Sequence, residues 1–369
     1  FINLFWVKPE AIKILFLVLY PVNHAPSQRF RVELFLPYLR NEGYEYRINS
    51  FYDEKTWRSL YNGGNIIQKF WGVCKGYFKR WMTVLFTLRK YDFIFIPRGA
   101  APLGPPLFEW IITKIFQKKL IYDFDDAIWI PNTGKENKLV AWFKASWKVK
   151  YICKWSYKVV GGNDYLCTYA KKFNQQVVKI PTCVDTENQH NRIKNQQTEK
   201  IVIGWTGSHS TLIFTKQIIP ALNDVYSSHP FEFIVIANKP PEYSLPYLKY
   251  IPWDSATEVE DLLKMNIGVM PLENDPWCEG KCGFKIIQYL SLGIPAVASP
   301  IGVNAKIIDE GENGFLCKTK EEWIQALTKL IEDETVRTQM GKNGREKIQK
   351  YYSVKSQITT FLQLFHLNV

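Results

Sequence analysis

"PLENDPWCEGKCGFKIIQYLSLGIPAVASPIGVN", Pro271 to Asn304, reads as the end of a strand, a charged loop, a helix and a second strand. The helix is expected over Phe284–Leu292, with Gly293 ending it, and "IPAVAS", Ile294–Ser299, is the next strand. Ahead of and into the helix stand Glu273, Asp275, Glu279, Lys281 and Lys285. The first turn of a helix leaves N–H groups unbonded, and its dipole favours negative charge there. Two lysines beside such a turn suit a diphosphate. Gly283 permits close backbone approach, and Gln288 is placed to reach a ribose hydroxyl. The competing reading is an ordinary exposed loop with solvated charges.

The same alternation runs through the chain. Before Pro271, strands are expected at Ile201–Gly204, Phe231–Ala237 and Ile267–Pro271, separated by helices at Thr211–Tyr226 and Glu258–Met265. Another helix follows at Glu321–Leu330. Towards the N-terminus, strands are expected at Ile14–Tyr20, Phe93–Pro97, Leu120–Phe124 and Lys158–Gly161, with a helix over Arg29–Asn41 capped by Ser27. Between the two series lies the polar "TENQHNRIKNQQTEK", Thr186–Lys200, the best linker in the chain. Repeated strand–helix alternation on both sides of a linker implies an α/β protein of two facing, Rossmann-like doubly wound domains. Ligands of such sheets bind at the carboxyl ends of the strands.

Composition agrees with two domains, since 369 residues, 46% hydrophobic, exceed one ordinary core. A net charge of +12 favours anionic partners: phosphates, nucleic acid or an anionic membrane face. No nucleic-acid recognition motif accompanies it, so no nucleic-acid partner is expected. The 13 Trp suit sugar clefts and membrane interfaces, although large aromatic cores give the same count. Seven scattered Cys read as free thiols in a reducing compartment, and five scattered His form no zinc pair. No apolar run approaches the ~20 residues of a membrane span. Ile14–Tyr20 is better read as a buried strand than as a signal-peptide core, and a start at Phe1 suggests that the natural N-terminus is missing. Two stretches, Lys69–Lys90 and Trp142–Lys158, interleave basic and aromatic residues. They are either helices with a basic solvent face or surfaces that dock on anionic lipid.

Two further loops carry chemistry. In "IVIGWTGSHST", Ile201–Thr211, Gly204 and Gly207 are expected to make a sharp turn, with Ser208, Ser210 or Thr211 capping the next helix towards a phosphate. "IYDFDDAIW", Ile121–Trp129, places Asp123 inside a strand as a structural carboxylate bonded to backbone. Asp125 and Asp126 fall at the carboxyl edge. They hold a divalent cation, serve as acid or base in a cleft, or simply end the strand.

"GIPAVAS" after a helix, followed by "GENGFL", Gly311–Leu316, resembles the donor half of the family 4 glycosyltransferases, which have the GT-B fold. "IGWTGSHST", "YIPWDSATEVEDLLKMNIGVMPL", "SQRFRVELFLPYL", "RGAAPLGPPLFEW", "IYDFDDAIW" and "GNDYLCTYAKKFN" extend the resemblance from about Ile14 to Tyr352. It implies an enzyme: a nucleotide-sugar glycosyltransferase, retaining, without cofactor or metal. Residues 1–190 would bind the acceptor, 200–352 the donor, and 353–369 would cross back as a helix. The donor site would comprise Gly207, Ser208, Trp253, Asp254, Glu279, Gly283, Phe284 and Gln288, with backbone around Pro252–Asp254 meeting the base. Arg29, Arg31, Arg98 and Asn163 would stand on the acceptor side, and Lys281, Lys285, Asp125 and Asp126 at the reaction. The expected partners are a nucleotide-sugar donor, a glycan or lipid-linked acceptor and an anionic membrane surface, with the protein cytoplasmic or peripheral on the inner face of the cytoplasmic membrane. The sequence departs from the family pattern in places. Of the two Glu of the motif, the second falls on Gln288 and the first on Gly280, beside Glu279. The Arg and Lys of the first donor loop fall near Trp205 and Ser210, and "PVNHAPSQRFR" replaces a Gly-rich loop after the first strand. Two other classes remain: a metal-dependent Asp-x-Asp transferase and a non-catalytic nucleotide- or sugar-binding relative.

Overall fold

The structure, a computed structural model, describes residues 11–61, 65–130 and 145–366. The first residues, the Trp142–Lys144 start of the second basic stretch and the last three residues of the expected closing helix lie outside them.

Two parallel six-stranded sheets form the frame. The first contains β1 (Lys13–Val18), β2 (Glu45–Ser50), β3 (Phe93–Pro97), β4 (Lys119–Phe124), β5 (Lys158–Gly161) and β6 (Val177–Lys179), in the order β2-β1-β3-β4-β5-β6. The second contains β7 (Val202–Gly207), β8 (Glu232–Ala237), β9 (Leu248–Pro252), β10 (Ile267–Met270), β11 (Ala296–Ala298) and β12 (Gly314–Leu316), in the order β12-β11-β10-β7-β8-β9. The direction of winding reverses between β1 and β3, and again between β7 and β10. A crevice opens at such a reversal because neighbouring crossovers leave to opposite faces.

Both faces of each sheet are covered, so central strands are continuous apolar runs. Leu15, Ile94 and Leu120 enter one core with Val84, Ile112 and Val149. Phe16, Phe95 and Ile121 enter the other with Leu39, Phe361 and Phe365. Phe361 stacks on Phe35 at 4.2 Å, and Phe365 packs on Phe93 at 5.7 Å. The closing helix Val354–Leu362 thus lies on the first sheet. The two chain crossings between the sheets pair with each other: Val184 N donates to Tyr352 O at 3.0 Å and Val354 N to Val184 O at 3.1 Å.

Several expectations are corrected. Arg29–Asn41 is not one helix. A single turn, Pro26–Arg29, follows Ala25, which makes no side-chain cap, and a new helix, Leu36–Asn41, starts with Pro37 in its first turn. Proline suits that position because its missing N–H is not needed there. Gly204 and Gly207 form no turn; both lie in β7. A Cβ on Gly204 would meet Met265 at 2.2 Å, so this glycine serves close packing. The expected Thr211–Tyr226 helix tightens to a 3-10 segment over Ile213–Ile218 before Ile219–Ser228 resumes with a proline in its first turn. Lys69–Lys90 is helical as Ile66–Met82, then a wider turn through Thr83–Thr87. Among the described residues of the second basic stretch, regular helix is confined to Lys148–Trp155, and Lys158 begins β5. The Thr186–Lys200 linker is pinned to the second domain: Lys194 N donates to Leu292 O at 2.7 Å, and Arg345 bonds the carbonyls of Thr186, His190 and Ser291.

Candidate active site

The two winding reversals face each other, and the loops leaving them build one cleft. On the first domain, β4 ends at Phe124 and delivers Asp125 and Asp126 to its edge. Arg98 follows β3 in a left-handed conformation, φ 62°, which few non-glycine residues adopt. That turn lays its guanidinium along the strand ends, where Nε donates to Asp125 Oδ1 at 2.8 Å and a terminal nitrogen to Asp126. Burial opposes the Arg98 charge, but the two carboxylates more than offset it and raise its pKa.

On the second domain, Asp275 caps a short turn, Pro276–Glu279, by accepting from Trp277 N and Cys278 N at 2.7 and 2.9 Å. Gly283, at φ 65°, then starts the helix Phe284–Ser291. It offers no side chain to cap the first turn, and the backbone stays open towards the cleft. Lys281 Nζ lies 3.5 Å from the Trp277 ring centroid and 4.0 Å from Asp126 Oδ1. Lys285 Nζ lies 5.3 Å from the Trp205 ring centroid, and a Cβ on Gly207 would crowd its Cε at 2.7 Å. Among the described residues Lys285 makes no ion pair. Burial, and then the nearby Lys281, pull its pKa down to about 7. Together with Arg98, Asp125, Asp126, Gly283 and Phe284, the two lysines line a cleft of about 170 Å³ between the domains.

Other expected site residues stand elsewhere. Arg31 is not on an acceptor surface. It is buried against Asp123, with Nε 3.2 Å from Oδ2 and a second bond to Oδ1. Asp123 therefore has a guanidinium partner rather than the backbone partner expected for it. Arg29 is likewise consumed, by Glu258 at 3.0 Å across the domain boundary. Asn163 is a cross-domain tie. Its Oδ1 caps the helix Asp164–Lys171, while Nδ2 donates to Gly280 O at 3.1 Å and Lys281 O at 3.0 Å. Glu279 lines a separate hollow with Glu273, Ser299 and Lys318. Ser208 is exposed beyond β7 and shares a hydrogen bond with Ser210. Asp254 is exposed and accepts from Ala256 N.

Sequence reasoning missed Glu258. Its carboxylate gathers Arg29, Trp253 Nε1 at 3.2 Å and Gln288 Nε2 at 3.3 Å, joining the expected base loop to the expected ribose residue. The only signal was an acidic helix start, which reads as solvated charge. Cys282 was also missed; its Sγ donates to Asp125 O at 3.1 Å across the cleft floor.

Residues 246–347 match the model of the family described as Glycosyl transferases group 1, a span that holds Trp253, Lys281, Lys285 and Gln288. Solved structures superpose over nearly the whole chain. Sucrose-phosphate synthase from Thermosynechococcus elongatus is 13% identical, with TM-score 0.65, covering 96% of this chain and 98% of its own. HepE of Anabaena, solved with UDP-glucose, is 16% identical, with TM-score 0.66, covering 95% and 98%. A glycosyltransferase from Rickettsia africae is 13% identical, with TM-score 0.66, covering 96% and 98%.

Proposed function

We propose that the protein, which has the fold of the GT-B glycosyltransferases and matches glycosyl transferases group 1 over residues 246–347, moves a sugar from a nucleoside-diphosphate sugar, held by the second domain, to a hydroxyl of a glycan or lipid-linked acceptor on the first. The observation that carries the reading is the Lys281–Lys285 pair at the start of the Phe284–Ser291 helix, facing Asp125 and Asp126 across the cleft. Breaking the sugar–phosphate bond leaves charge on the departing phosphate. Ammonium groups and helix N–H groups aimed there lower the barrier. The acceptor oxygen bonds to the anomeric carbon on the face the phosphate leaves, and the freed proton passes to a phosphate oxygen. Configuration is then retained without a separate protein base. The base meets the loop at Trp253, and the ribose lies by Gln288 and Glu258.

This reading needs no metal, because the lysines supply the positive charge and Arg98 holds both Asp125 and Asp126 in ion pairs. Seven free thiols support a reducing, cytoplasmic setting. The test is a thermal-shift panel of UDP-, ADP- and GDP-sugars followed by product analysis with and without EDTA. One donor should raise the melting temperature and then yield an α-configured product from an α-donor in EDTA. No stabilising donor, or turnover lost in EDTA and restored by metal, would sink the reading. A second reading, a donor-binding protein without turnover, is favoured by Gly280 and Gln288 where the family pattern has Glu. Stabilisation by a donor with no product on any acceptor would select it.

A further inference from the structure

The crossovers β2→β3, β3→β4 and β4→β5 form one layer on one face of the first sheet. There Tyr77 and Trp81 of the Ile66–Met82 helix pack on Phe108, and the Leu107–Trp110 turn meets the Lys148–Trp155 helix. The inner side of this layer is ordinary core. Its outer side is not an ordinary surface. Phe70, Trp71, Phe78 and Phe86 are 62–68% exposed, and Trp110 and Ile115 continue the strip. Four aromatics so exposed present roughly 500 Å² of apolar surface, at the upper end for a soluble monomer. The charges around them are mostly positive. No Asp or Glu occurs in 65–91, 111–122 or 145–163, and Lys69, Arg89 and Lys90 flank the strip, while Lys75 is paired with Asp53 at 2.7 Å.

We propose that this layer docks flat on a bilayer bearing anionic headgroups. The aromatics enter the headgroup boundary and the lysines and arginines meet the lipid phosphates. A second copy of the chain is disfavoured as occupant, because a two-fold contact would set basic strip against basic strip. The placement also serves the cleft. Thr83 is level with the end of β2, its Oγ1 2.9 Å from Asn49 Nδ2, so the helix before it extends from the strands' carboxyl edge. At 1.5 Å per residue, Ile66 to Thr83 spans roughly 25 Å. The apolar tip at Ile66–Trp71 therefore flanks the edge on which the cleft opens. A headgroup-borne acceptor would reach the cleft without leaving the membrane. In that respect the inference deepens the transfer reading and rests on it for its purpose.

The test is flotation of the full chain with vesicles of phosphatidylcholine alone and of equimolar phosphatidylcholine and phosphatidylglycerol. Binding is expected to the anionic vesicles and to weaken with salt. The double variant Phe70→Ser, Trp71→Ser should lose most of it. Lys69→Gln with Lys90→Gln should lower partitioning roughly thirtyfold. Wild-type protein that stays with the aqueous fraction, equal binding to neutral vesicles, or variants that bind like wild type would each overturn the proposal. So would a dimer in sedimentation velocity that these variants dissolve. The donor thermal shift, read on the same variants, should be unchanged. Wild-type protein that shows a donor shift but does not float rejects the docking alone, and wild-type protein that floats but shows no donor shift rejects the transfer reading alone.

Discussion

The two walls of the cleft differ in how their charges are satisfied. On the first domain, each of Asp123, Asp125 and Asp126 has a guanidinium partner, Arg31 for the first and Arg98 shared by the other two. On the second, Lys285 makes no ion pair among the described residues, and Lys281 reaches Asp126 only at 4.0 Å. The first wall is a preformed scaffold. The second wall is electrostatically incomplete, and an anion of the size and charge of a diphosphate would complete it. A buried charge pair holds shape, whereas a half-buried cation left without a counter-charge holds affinity.

The largest expected effect breaks the scaffold. Asp123→Asn strands Arg31 as an unpaired charge in a site only 2% exposed, and should cost about 3–5 kcal/mol in urea unfolding. A change below about 1 kcal/mol would show that the pair contributes little. Next comes the second wall. Lys285→Ala should lower kcat about 10²–10³-fold, as loss of one oriented charge-stabilising group does, without lowering urea stability. Retained turnover would show that the catalytic charge lies elsewhere.

A smaller, graded effect follows from the depressed Lys285 pKa. Its charged form is lost as pH rises through about 7, so donor binding by the free protein should weaken above that pH, and the weakening should vanish in Lys285→Met. Stability moves oppositely. Between about 7 and the ordinary lysine range the unfolded chain holds the extra proton, so this group makes stability rise with pH. Calorimetry across that window, wild type against Lys285→Met, reads the sign. The smallest effect is Glu279→Ala. Facing the separate hollow, it should change donor affinity less than about twofold, the range of a surface substitution. A large loss would mean that the Pro276–Glu279 turn reorganises on binding.

What was legible in the sequence follows burial. β3, β5 and β10 are fully buried, and their apolar runs announced them. The edge strands β2 and β9, "EYRINS" and "LKYIP", were passed over because one side meets solvent and their pattern is mixed. The structure brings Lys281, Lys285, Asp125, Asp126, Gly283 and Phe284 to one cleft from segments whose local spacing already marked them. Arg29, Arg31 and Asn163 were misplaced for the opposite reason. Their partners Glu258, Asp123 and Gly280 lie between 92 and 229 residues away, beyond any local pattern.

The sequence by itself determined the alternation of strand and helix, the two halves and the charged loops at strand ends, because hydrophobic periodicity and helix starts are local properties. Only the tertiary structure decided which charges are spent and which stay available. An arginine is a binding group or a scaffold strut according to the carboxylate that reaches it. In this molecule the long-range packing gives Asp123 to Arg31 and, among the described residues, gives Lys285 no ion pair.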